Sequence, residues 1–183
     1  IGEGLQVMIY TPDIPDLFAR ICGYFERHNF SILDAKIHTT NDGHALDSFQ
    51  VTAVGLDAEQ NEALILQIET ELTLDLTDLI PLTNAPKARQ SRRVKSFPIQ
   101  PYVELHPDEK GQRWILNVAA ADRVGLLYAI ARVLAQHEVN LQLAKVTTLG
   151  ERVEDSFVVD GAVFQKPRGI LSLETDLLAA LQN

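Results

Sequence analysis

Apolar residues fall along this chain in two alternating rhythms. Leu5, Val7 and Ile9 recur at every second position, which suits a strand with one face on a core. Leu17, Phe18, Ile21 and Phe25 then recur on one face of a helix. Leu33, Ala35 and Ile37 return to the period of two, and Asn41-Asp42-Gly43 is a hairpin signal. Phe49, Val51 and Ala53 form the return strand, and Leu64, Ile65, Ile68 and Leu72 give a second helical face.

The same series then repeats. Asp13, Leu17 and Phe18 find counterparts in Asp122, Leu126 and Leu127, with no gap between them. Phe25 pairs with Leu134, His28 with His137, and Ala35-Lys36-Ile37 with Ala144-Lys145-Val146. After one deletion in the turn, Asp47-Ser48-Phe49 pairs with Asp155-Ser156-Phe157. The second turn falls near Gly150, Phe157 and Val159 mark its return strand, and Ile170, Leu173, Leu177 and Leu181 its last helix. A shared order of strand, helix, strand, strand and helix implies duplication of one unit. That order is the α+β, ferredoxin-like βαββαβ arrangement, with antiparallel sheets and both helices of each copy on one sheet face. One apolar stripe per helix is what the pattern predicts.

The second copy runs out of residues for a fourth strand, and an upstream stretch offers a replacement. Residues 99–106 read as a strand and the following residues to Gln112 as a turn, so 99–106 are expected to pair with 114–120 along a sheet edge. The expected organisation is a first module over 1–85, a basic linker over 86–98 and a second module over 99–183. The first module's fourth strand would come from Arg93 to Phe97, inside that linker, or from residues upstream of Ile1.

Composition narrows the partners. The 183 residues carry a formal net charge of −9, which opposes nucleic acid as the main partner. Lys87, Arg89, Arg92, Arg93 and Lys95 are a local exception that reads as a solvated linker. No apolar run is long enough to span a bilayer, so no membrane partner is expected. The single cysteine, Cys22, excludes an internal disulfide, reads as a small buried hydrophobe and fits the cytoplasm. The chain opens on Ile1 without Met or a signal-peptide pattern, and is expected to be a segment of a longer protein.

Candidate chemistry lies where the first strand of a copy meets its first helix. In the second copy this loop is Asp122-Arg123-Val124-Gly125-Leu126-Leu127. Gly125 permits a sharp turn and close approach by a ligand, and the helix start offers free N–H groups to a carboxylate. Asp122 would cap the helix or face an ammonium group. Asn140, at the next strand's start, is expected close to this loop, either as a turn residue or as a group that hydrogen-bonds a ligand amide. Asp-x-x-Gly before a helix is also a common turn and capping pattern, so both readings stand on the residues alone.

This loop, its apolar helix and the Val139-Asn140-Leu141 strand start resemble an ACT domain, a resemblance that covers each copy almost completely. A narrower one follows. The run from Ala144 through Gly150-Glu151-Arg152-Val153-Glu154-Asp155 to Phe157 is similar to the last ACT module of bacterial PII uridylyltransferase/uridylyl-removing enzymes. Thr11-Pro12-Asp13-Ile14-Pro15-Asp16-Leu17-Phe18, Asp34 to Gly43, and Leu173-Glu174-Thr175-Asp176-Leu177-Leu178 fit the same C-terminal tandem.

The resemblance implies a glutamine sensor that controls uridylylation and deuridylylation of the PII nitrogen-signalling protein through attached nucleotidyltransferase and HD domains. L-glutamine and those domains would be the direct partners and PII an indirect one. It places ligand binding on Asp122, Arg123, Val124, Gly125, Leu126, Leu127 and Asn140. Asp16 stands where the second copy has Gly125; it would crowd a ligand and repel its carboxylate. Asp13, Asp16, Leu17 and Phe18 are then expected as one wall of a site shared between copies. Arg152, Glu151 and Glu154 form a turn and exposed strand start, or contacts to the catalytic domains.

Catalytic motifs are missing from the sequence: no Gly-Ser with a following Asp-x-Asp, no His-Asp dipeptide and no phosphate-binding glycine loop. His28, His38, His44, His106 and His137 lack metal-ligand spacing. The stretch is expected to hold no catalytic residue, metal or cofactor, with magnesium implied for the parent's catalytic domains. Two other readings stay open: a stand-alone two-ACT regulator of the glycine-cleavage-repressor type, and a ligand-free module that forms a homodimer by sheet pairing.

Overall fold

The computed structural model describes residues 4–40, 42–53, 61–83, 99–149 and 151–182. The first copy contains β1 (Leu5–Pro12), α1 (Leu17–Arg27), β2 (Ser31–Lys36), β3 (His44–Thr52) and α2 (Asn61–Thr77). The second contains β4 (Tyr102–Pro107), β5 (Trp114–Ala121), α3 (Leu126–Gln136), β6 (Asn140–Lys145), β7 (Thr148–Leu149) and β8 (Arg152–Asp160). A short 3-10 helix (Ala162–Gln165) and α4 (Pro167–Gln182) complete it.

Both sheets are antiparallel. The first has the order β1-β3-β2; the second has β4-β5-β8-β6, with short β7 also on β8. The duplication extends to detail: β2 shifts register against β3 between Ile32 and Asp34, and β6 against β8 between Leu141 and Leu143. Tyr102 faces Ala119 and Pro107 faces Trp114, so β4 is the outer neighbour of β5. Arg93 to Phe97, Asn41 and Gly150 lie outside the described residues, as does the 86–98 linker. Among the described residues no helix is long and apolar enough to cross a membrane.

Each module closes its core between sheet and helices. Phe25, Ala35, Phe49 and Val51 have no exposed surface in the first; Leu116, Ile130, Val159, Leu173 and Leu177 have none in the second. Each large side chain fully buried in this way is worth about 1.5–3 kcal/mol. The paired histidines also repeat a contact, since His28 Nδ1 lies 3.6 Å from Glu71 of α2 and His137 Nε2 lies 2.8 Å from Asp176 of α4.

Two helix-face expectations need correction. Ile65, placed on the buried stripe of α2, is 43 % exposed, because the face that packs is the straight i, i+4 row Leu64, Ile68, Leu72 and Leu76. The second correction is larger. α1 buries Leu17, Phe18, Ala19, Ile21, Cys22, Gly23, Tyr24 and Phe25, and α3 buries seven of its own residues, including Tyr128, Ala129 and Ala131. A helix buried nearly all round must be covered on two sides. One side of α1 faces its own sheet and the other meets α3; the edge strands β2 and β6 approach along the same seam. One apolar cluster therefore runs through both modules.

The seam is tight. A Cβ on Gly23 would lie 2.9 Å from Cε2 of Tyr128, whose hydroxyl donates to the Thr83 carbonyl at 2.7 Å. The Tyr128 ring is thus pinned and cannot easily yield. Gly23→Leu should lower stability by about 1–3 kcal/mol, the usual cost of overpacking, despite its better helix propensity. Urea unfolding measures this; an unchanged or raised midpoint would contradict the tight seam.

Candidate functional site

The two strand-to-helix loops have the same backbone. In the first, Asp13 N–H donates to Gly43 O at 2.9 Å, Leu17 N–H to Ile14 O at 3.2 Å and Arg20 N–H to Asp16 O at 2.9 Å. In the second, Asp122 N–H donates to Glu151 O at 2.8 Å, Leu126 N–H to Arg123 O at 3.2 Å and Ala129 N–H to Gly125 O at 2.9 Å. The N-cap residues are Asp16 (φ 60°) and Gly125 (φ 76°), both left-handed and neither making a side-chain cap. Asp tolerates this region better than most residues, which is how one fold serves both sequences. Asp122 is not the cap of α3.

Each loop faces the opposite module across the seam. Loop 122–127 borders a cleft with Cys22, Glu26 and Phe30 of the first module, and with Ser31, Ile32 and Leu33 at the start of β2. Loop 13–18 borders a second cleft with Ala131, Leu134 and Ala135 of α3, with Glu138 just beyond it, and with Asn140, Leu141 and Gln142 at the start of β6. The first is the Gly125 cleft and the second the Asn140 cleft. Asp122, Arg123, Val124, Gly125, Leu126 and Leu127 are together, but Asn140 is not beside them. It lies in the other cleft with Asp13, Asp16, Leu17 and Phe18. A loop and the strand start of its own repeat line opposite clefts, because the modules exchange these elements across the seam.

Size also departs from expectation. The Gly125 cleft holds about 120 Å³ and the Asn140 cleft about 600 Å³. Glycine did leave space, but Glu26 of α1 fills it: a Cβ on Gly125 would lie 2.7 Å from Glu26 Oε1. The repeat puts Ala135 at the corresponding place in the Asn140 cleft. Burial raises the Glu26 carboxyl from its ordinary value, and the charge of Arg123 offsets part of that rise. Arg123 itself is fixed by donating to Ala180 O of α4 at 2.7 Å.

Each cleft has a buried aspartate in its lining. Asp47 of β3 accepts from the His38 N–H at 3.2 Å, and Asp155 of β8 from the Thr147 N–H at 3.1 Å. They are 1 % and 3 % exposed. Burial pushes Asp47 up to about 6 and Asp155 to about 7; the backbone donors resist this, and the charges of Asp13 and Asp122 add to it. The repeat marks both aspartates, but sequence gave no reason to place them in the site. Cys22, 1 % exposed, has its thiol raised well above the ordinary value by burial and then by these two carboxylates. Among the described residues no group of three potential ligands could hold a metal.

The aspartates set a pH dependence. Each keeps its proton in the fold at pH values where an unfolded carboxyl, near about 4, has lost it. Their contribution to stability is therefore fully present below about pH 4 and is lost as pH rises through about 6 to 7. Asp155→Asn keeps an oxygen for the Thr147 N–H and removes the ionisation. It should stabilise the protein on the order of 3 kcal/mol at pH 8, with the gain shrinking towards pH 5. Chemical unfolding at both pH values measures it; a gain that does not depend on pH would contradict the titration.

The ACT domain model matches residues 114–170, from β5 into α4. The chain is 55 % identical over 98 % of its length to the bifunctional uridylyltransferase/uridylyl-removing enzyme of Cupriavidus metallidurans, covering 21 % of that protein. It is 52 % identical over 99 % of its length to that of Ralstonia nicotianae, covering 22 %, and 49 % identical over 99 % to that of Burkholderia vietnamiensis, covering 21 %. The chain spans about a fifth of the length of these curated relatives. It carries an ACT domain and, over nearly its whole length, is the counterpart of about a fifth of these bifunctional uridylyltransferase/uridylyl-removing enzymes.

Proposed function

We propose that this tandem is an amino-acid-sensing region that takes glutamine at its seam and thereby controls uridylylation and deuridylylation of the PII protein by catalytic domains of the longer protein. The observation that carries this reading is that both clefts are built from two modules at once. Each joins a loop and helix start from one copy to a strand start from the other. A ligand held there contacts both copies, so its binding energy depends on how they sit together. Such differential binding is what lets a ligand shift an equilibrium between two states.

The chemistry of the lining supports an amino acid. Helix starts accept a carboxylate, acidic side chains accept an ammonium, and Asn140 and Gln142 can bond an amide. A signal also has a route outward. The Asp122 N–H is tied to the Glu151 carbonyl, next to the exposed Arg152–Glu154 ion pair of 2.9 Å. Movement of the loop would shift this turn, which we propose faces the catalytic domains. The cytoplasm is the compartment this role requires.

Titration calorimetry with L-glutamine tests the reading, with thermal melts alongside. Ligand at a hundred times its dissociation constant should stabilise the fold by about 2.7 kcal/mol. No heat and no melting shift at millimolar glutamine, with the fold intact, would overturn it.

A second reading, a homodimer formed by sheet pairing, is favoured by the surface of β1. Among the described residues no strand pairs with its outer edge, and Met8 and Tyr10 are 67 % and 66 % exposed. Light scattering across a dilution series should show a dimer that Tyr10→Lys disrupts; a monomer at all concentrations removes this reading.

A further inference from the structure

We propose that the two clefts are an unequal pair: the Asn140 cleft admits a free amino-acid zwitterion, with Asp47 accepting its ammonium group, whereas the Gly125 cleft is plugged by the chain's own Glu26. This rests on the reading that the tandem binds an amino acid, and assigns the site within it.

Three observations support it. The first is size: cavities that enclose small ligands hold roughly 300–1,000 Å³, a range that includes the Asn140 cleft at about 600 Å³ and excludes the Gly125 cleft at about 120 Å³. The second is an exchange of acid positions between the repeats. One cleft has Gly125 on the loop and Glu26 on the facing helix; the other has Asp16 on the loop and Ala135 on the facing helix. At this pair of positions each cleft has one acid and one small residue, on opposite sides. A carboxylate reaching in from the facing helix blocks the loop, whereas Asp16 is exposed on the loop itself. The half-buried Glu26 carboxylate has no hydrogen bond or ion pair with the described residues to hold it, beyond the longer-range attraction of Arg123. It fills the cleft without being locked there.

The third observation is Asp47. It lines the Asn140 cleft and is 1 % exposed; one carboxylate oxygen takes the His38 N–H, and the other, Oδ2, is buried with no partner. A buried acceptor without a donor is costly, and an ammonium group would satisfy it. Asp13, Asp16 and Glu138 join the same lining, which contains no Lys, Arg or His among the described residues. The cleft therefore favours the ammonium end of a ligand. The carboxylate end would sit at the start of α1, where the Phe18 and Ala19 N–H groups precede the first helical bond from Arg20; the Asp16 charge expected to repel it is on an exposed residue, where water screens it. Asn140 and Gln142 direct their amide NH₂ groups to Asp160, at 2.9 and 3.1 Å, leaving both side-chain oxygens to accept from a ligand amide.

The experiment is titration of the full chain and three variants with L-glutamine, with melting curves to check the fold. The wild type should bind one ligand per chain. Ala135→Glu copies the plug into the Asn140 cleft and should abolish binding. Glu26→Ala removes the natural plug and should raise the stoichiometry to two. Asp47→Asn keeps the acceptor for His38 and should weaken binding about tenfold or more. Should Ala135→Glu fail to fold, the other two variants decide. Two ligands on the wild type, full binding by folded Ala135→Glu, a Glu26→Ala variant that still takes one, or unchanged affinity in Asp47→Asn overturns the assignment and leaves glutamine sensing intact. No binding by the wild type overturns both.

Discussion

The contact between α1 and α3 is the constraint on which the rest of the molecule depends. Both helices are buried over most of their residues, so neither can serve as a surface helix over its own sheet alone. Packing them together removes that second apolar side from water. Ala19, Cys22, Gly23, Ala129 and Ala131 keep the helices small, and Gly23 lets the Tyr128 ring lie against the α1 backbone. Two modules that each have their own sheet thereby share one core.

That packing also makes the clefts. Because each loop leads directly into a seam helix, bringing the helices together brings each loop against the other module. A cleft of this kind cannot exist in a separated copy, since half of its lining would be missing. Duplication supplied two such sites, and side-chain substitution made them different without altering the backbone. Asp16 and Gly125 have the same left-handed geometry, and both loops have the same three hydrogen bonds. The difference lies in what faces them, Ala135 in one cleft and Glu26 in the other.

The electrostatics follow from the same arrangement. Asp47 and Asp155 sit at matched places in β3 and β8, each held by one backbone N–H of its hairpin. Burial makes both carboxyls weak acids, and the seam brings their negative charges close enough to raise the Cys22 thiol further. Acidic groups set this close are costly in an empty cleft and useful where a cation is to be bound. The relatives carry this stretch as about a fifth of a longer chain.

Much of this was fixed locally and is therefore legible in the sequence. Strand alternation and helical spacing are short-range patterns, and the repeat from Asp13 to Phe49 against Asp122 to Phe157 declares the duplication without coordinates. The loop 122–127 announces itself through Gly125, because a left-handed residue before a helix is a property of the backbone. The second apolar side of α1 and α3 was visible too, as Cys22, Gly23 and Tyr24 beside the first stripe, but periodicity cannot say what covers it. Only the tertiary structure decided how the copies pair. That pairing sent Asn140 to the cleft of the first loop, set Glu26 against Gly125 and left the larger opening beside Asp16. Each of these depends on which surfaces of two distant segments meet, and a linear pattern records the surfaces but not their meeting.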